Sequence, residues 1–125
     1  MKAKISRMTE RYVSLRTKNN EIIINVVFPE DFDAIEFMNK SLSIPITSTL
    51  DEMILHVTLV NNVVLNPIET YSAANIKTEL INSIDGVYFV FDFTFMTRDG
   101  VEDLGIYVVK VSRKSIKKEL SKIHK

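Results

Sequence analysis

From 86 to 96 the chain alternates without interruption. Val87, Phe89, Phe91, Phe93 and Phe95 fall on one face, and Tyr88, Val90, Asp92, Thr94 and Met96 on the other. A period of two in aromatic and β-branched residues predicts a strand. Its Phe face predicts the main core, since each large apolar side chain contributes about 1.5–3 kcal/mol when fully buried. Asp99-Gly100 predicts a hairpin turn, because glycine accepts positive φ, and residues 104–111 supply the returning strand.

Two further hairpins follow from the same pattern. Segments 10–18 and 21–28 flank Asn19-Asn20, and segments 52–60 and 63–66 flank Asn61-Asn62. Asparagine visits the left-handed region more readily than other non-glycine residues, so both pairs suit turns. In the second hairpin Met53, Leu55, Val57 and Leu59 alternate with Ile54, His56, Thr58 and Val60.

Helical spacing appears elsewhere. Pro29-Glu30-Asp31 puts a proline and acids at a first turn, followed by Phe32, Ile35, Met38 and Leu42. Ser72 caps a second expected helix with Ile76, Leu80 and Ile84 inward, ending at Asp85-Gly86. A third occupies 113–125, with Ile116, Leu120 and Ile123 on one side and lysines on the other. The first residues fit two descriptions: Ile5, Met8, Tyr12 and Leu15 are spaced as a helical stripe, while 12–16 also reads as a strand. The expected fold class is α+β, mainly antiparallel β with two or three short helices, including a basic C-terminal one. No linker interrupts the chain, so 1–125 reads as a single domain.

Charge changes the picture more than composition does. Residues 1–18 hold six basic side chains against Glu10, a net of +5. Residues 112–125 hold Arg113, Lys114, Lys117, Lys118, Lys122 and Lys125 against Glu119, again +5. Between them, four basic and fourteen acidic groups give −10, so the formal zero conceals an acidic body with two basic ends. Such blocks bear on partners and not on fold. The chain lacks cysteine, which excludes disulfides and thiolate chemistry. No apolar run reaches the roughly 18–20 residues that span a bilayer, and no signal-type apolar core follows the basic N-terminus. The expectation is a cytoplasmic protein, or one assembled into a virion made in the cytoplasm, with no membrane partner.

Candidate chemistry is sparse. His124 is second from the end, and His56 lies mid-strand without a paired ligand spacing, so no metal is expected. Asp92, also mid-strand, would need His56 or Lys110 as a partner if buried; otherwise Asn25, His56, Asp92 and Lys110 each point outward from their strands. Glu30, Asp31, Asp33 and Glu36 lack the glycine and bidentate spacing of an EF-hand. No phosphate-loop, dinucleotide or hydrolase motif occurs, so neither cofactor nor catalytic residue is expected.

One resemblance adds to this. The run Asp85-Gly86-Val87-Tyr88, the strand with Phe91 and Phe93, the turn Asp99-Gly100 and the closing strand 106–111 together resemble the second half of the immunoglobulin-like N-terminal domain of phage baseplate upper proteins. The resemblance covers residues 76–111. It implies an immunoglobulin-like β-sandwich as the alternative fold and a structural module that binds other subunits of a tail device. Residues 29–50 depart from it, being more helix-like than a sandwich connection.

These readings converge on a non-enzymatic protein–protein interaction or assembly module from a phage tail or another mobile element. Its partners are protein subunits, its own or others, with a homo-oligomer among the expectations. Arg113, Lys114, Ile116, Lys117, Lys118, Leu120, Lys122 and Ile123 are the expected partner-binding residues. The lysines are expected to meet an acidic protein surface, and the three apolar residues to provide the contact area. The alternative is a small nucleic-acid-binding or regulatory protein that uses its basic ends, which the −10 body opposes.

Overall fold

A computed structural model describes residues 2–17, 22–60, 67–92 and 106–123. The element order is β1 (Lys2–Met8), β2 (Tyr12–Thr17), β3 (Ile22–Val27), α1 (Ala34–Ser41), β4 (Thr47–Val60), β5 (Pro67–Ser83), β6 (Gly86–Asp92), β7 (Ile106–Ser112) and α2 (Arg113–Ile123). The class is α+β and mainly antiparallel. The strands close in chain order into one barrel, antiparallel at every neighbouring pair except β1–β7. That closing pair is parallel, through Lys2↔Lys110 and Ala3↔Val111. Seven strands that alternate in direction leave the first and last pointing the same way, so closure requires one parallel seam. The two-sheet sandwich is thereby replaced by a closed barrel.

The interior is filled by the alternate residues of the strands: Val13 and Leu15, Ile24 and Val26, Met53, Leu55 and Val57, Ile76 and Leu80, Val87, Phe89 and Phe91, and Val109 and Val111 are all buried. Phe89 and Phe91 are fully enclosed, their ring centroids 5.9 Å apart. The core thus follows the period-two face of β6, as its alternation predicts. Phe93, Phe95, Thr94, Met96 and the turns at Asn19-Asn20, Asn61-Asn62 and Asp99-Gly100 lie outside the described residues, as does segment 63–66.

One sequence expectation gives way, and one open reading is decided. The helix over 72–84 is instead strand β5. A spacing of four at Ile76 and Leu80 is also two periods of two, and buried Thr78 completes the inward row while Lys77 and Glu79 face out. Asp85-Gly86 is then a β5–β6 turn and not a helix stop, and Ile84 stands 94% exposed at its tip. The N-terminal helical stripe is likewise two strands. A register shift between Ile5 and Arg7 places both Ile5 and Met8 inward. An extra residue in a strand reproduces the three-residue spacing that mimics a helix.

Helix α1 starts later than the proline turn suggests. Asp33 is its N-cap, its Oδ1 accepting from the Glu36 N–H at 3.0 Å. Ala34, Phe37, Met38 and Ser41 are its buried residues, while Phe32, Ile35 and Leu42 are only partly buried against the core. Helix α2 follows β7 directly, and its Ile116 and Leu120 belong to the same hydrophobic cluster as the barrel interior. The Arg113 guanidinium donates to the Leu42 carbonyl, and Ile35 and Ile123 line one cleft at the other end. The two helices therefore run side by side in opposite directions.

Candidate functional site: two outer surfaces of the barrel

The barrel interior is filled by the chain's own side chains, which leaves its outer surfaces as the candidate sites. Two outer surfaces differ in character.

The first is basic and is built by the parallel seam. From Lys2↔Lys110 and Ala3↔Val111, α2 continues alongside β1 in the same direction, and the Ile5 N–H donates to Ser115 Oγ at 3.0 Å. At the far end Met8, Thr9, Glu10 and Arg11 meet Ile123 in one cleft. The two basic ends of the sequence thus lie side by side along the length of α2, about 16 Å at 1.5 Å per residue. Lys4 is in register with Arg16 of β2. Lys2, Lys4, Lys110 and Ser112 line an open cleft of about 290 Å³ over the seam. Among the described residues, Lys2, Lys4, Arg7, Arg16, Lys114, Lys117 and Lys118 take part in no ion pair. Of the acids near this ribbon, Glu119 is buried beside Lys122 at 3.5 Å, Glu30 meets Arg11 at 3.6 Å, and Glu10 is exposed at the far end.

The second surface is the outer face of β5–β7. In register across it stand Ile81–Tyr88–Lys110, Glu79–Val90–Val108 and Lys77–Asp92–Ile106. Ile106 is 60% exposed and Val108 42%, with Val90, Tyr88 and Ile81 half-buried beside them. This is an apolar centre rimmed by Lys77, Glu79, Asp92 and Lys110. Lys110 also sits 5.8 Å over the Tyr88 ring and pairs with Asp85. The Lys110 ammonium, helped by the Ser83 hydroxyl, holds the Asp85 carboxyl below its ordinary range, and the same carboxylate raises Lys110.

The partner-binding residues expected from sequence separate accordingly. Lys114, Lys117 and Lys118 are exposed on the ribbon. Lys122 is exposed and bonded to Glu119, and Arg113 is tied to Leu42. Ile116 and Leu120 are buried against the chain's own barrel, and Ile123 is partly buried there, so this apolar stripe is satisfied within the protomer. His56 is exposed on β4, in register with Asn25 and Ser72, two strands away from Asp92. The two are not brought together, and Lys110 serves Asp85 instead. Tyr12 donates to Asn25 Oδ1 at 2.7 Å. Sequence reasoning missed the β5–β7 face. Its signal was available in Tyr88 and Val90 on the outward row of β6, but Ile81 was hidden by the helix reading of its segment.

No protein-family model matches the chain, and neither a curated protein nor a solved structure matches it. Among the described residues no three His, Cys, Asp or Glu side chains group as metal ligands, and no helix is long and apolar enough to cross a membrane.

Proposed function

We propose that this protein is a protein–protein interaction module that acts without catalysis and assembles through the outer face of β5–β7. The observation that carries this is the exposure of Ile106 and Val108 beside Val90, Tyr88 and Ile81 on the outside of a closed barrel. An outward strand row in contact with water is ordinarily polar, and a contiguous apolar patch with a charged rim has the anatomy of a subunit contact. The partner is a protein subunit, either a second copy or a different chain. A phage tail or another mobile element is the setting we assign, on the resemblance of residues 76–111 alone. The role expected of Ile116, Leu120 and Ile123 passes to this face, because α2 spends its apolar stripe on the barrel.

The test is a double substitution, Ile106→Glu with Val108→Glu. Recovered from its native host, the intact protein should elute as a complex with itself or with a defined subunit. The variant should elute as a folded monomer with an unchanged melting temperature. Monomeric elution of both proteins would overturn the proposal.

A further inference from the structure

We infer that the β1–α2 ribbon is a docking surface for the phosphate backbone of a nucleic acid duplex, read without regard to sequence. Seven cations with no ion-pair partner among the described residues stand on it: Lys2, Lys4, Arg7 and Arg16 on the strands, and Lys114, Lys117 and Lys118 on the helix. They form rows along adjacent elements that run in one direction, fixed to each other by the seam and the Ile5–Ser115 hydrogen bond. The other exposed side chains of β1 and α2 are Ser6, Ser121 and Lys122.

That composition discriminates between partners. A protein interface has an apolar or aromatic centre inside its charged rim. The β5–β7 face has one and the ribbon has none. Phosphate contact requires no such centre, since its affinity comes from releasing counterions. A single strand would need aromatic platforms for its bases, and no aromatic side chain lies among the exposed residues of β1 and α2. The −10 body, which taken as a sum opposes phosphate, intrudes little here: Glu119 is buried beside Lys122, Glu30 is paired with Arg11, and exposed Glu10 stands only at the far end, in the cleft that Arg11 also lines. This inference stands apart from the assembly proposal, which uses the outer face of β5–β7.

The experiment is fluorescence anisotropy of the full chain with a labelled DNA duplex and with one of its single strands, across a salt series. If six phosphates are contacted, affinity for the duplex should fall about a thousandfold between about 50 and 200 mM salt. The variant Lys114→Gln, Lys117→Gln, Lys118→Gln should keep its circular dichroism melt and lose about 0.9 from the log–log salt slope per lysine. The variant Ile106→Glu, Val108→Glu should bind the duplex as the intact protein does. The inference is overturned by no binding at about 50 mM salt, by an unchanged slope in the lysine variant, or by preference for the single strand. It is also overturned if the lysine substitutions dissociate an oligomer instead, which would assign the ribbon to an acidic protein surface.

Discussion

The β1–α2 ribbon and the outer face of β5–β7 lie on the same barrel and are joined at Lys110, which borders both. One is charged from end to end; the other places apolar side chains in the middle and charge at the edge. The ribbon exists because the strand number is odd, so that the barrel closes by a parallel seam and the C-terminal helix is laid along the first strand. The apolar face owes nothing to the termini. It arises because an outward strand row was left unfaced by either helix. A basic helix is therefore poor evidence of a protein interface when its apolar side is already used. An outward valine on a closed barrel is better evidence.

The comparison breaks most completely if α2 is not part of the core. Deleting residues 113–125 removes buried Ile116 and Leu120, whose truncation to alanine alone would cost about 2–5 kcal/mol each, against a typical margin of about 5–15 kcal/mol. We expect loss of the cooperative thermal transition; a deletion that leaves it intact would show that the ribbon helix docks only weakly. Next in size, Phe91→Ala should destabilise by about 3–5 kcal/mol in a denaturant titration, because its ring is fully buried inside the barrel. Gly86→Ala should also be costly. An added Cβ would lie 2.1 Å from the Val111 carbonyl oxygen at φ +156°, where the start of β6 pairs with the end of β7 just before α2. Its melting temperature should fall well below that of any single outward substitution on β7.

Smaller effects sharpen the contrast. Asp33→Ala removes the α1 cap and should cost about 1 kcal/mol by the same titration. Asp85→Asn addresses the residue that holds Lys110 between the two surfaces. Its carboxyl lies below the ordinary range, so its contribution is present above the unfolded-state pKa and is lost as pH falls through the folded-state value. Thermal melts of intact protein and variant should therefore differ slightly at neutral pH and converge in acid. The difference is small because the pair is exposed to solvent. A gap that persists at acid pH would mean that Asp85 acts through something other than its charge.

Where one physical signal dominated, the sequence was legible. The alternation of Val87, Phe89 and Phe91 marked the core strand, and the paired antiparallel hairpins emerged from the same period. Ile116 and Leu120 correctly marked the inward side of α2, but not what lies beneath them. Illegible were the segments where two periods coincide. Ile76 and Leu80 satisfy both four and two, and a bulge at Ile5–Arg7 gives a strand the spacing of a helix. Of the two surfaces, the lysines of the ribbon were visible as a charge block. The β5–β7 face was not, because it is assembled from three strands, one of which read as a helix.

By itself, the sequence determined the local periods of its clearest strands and the segregation of charge into two basic ends and an acidic body. These are properties of neighbours along the chain, and side-chain size, polarity and φ preference suffice to set them. Tertiary structure alone decided that the barrel closes, that it closes in parallel, and that the basic ends therefore meet. It also decided that the apolar stripe of α2 turns inward while Ile106 and Val108 remain outside. Each of these depends on which strand finds which neighbour. Strand pairing is a contest among alternatives separated by long stretches of chain, decided by the packing of the whole core and not by any one segment.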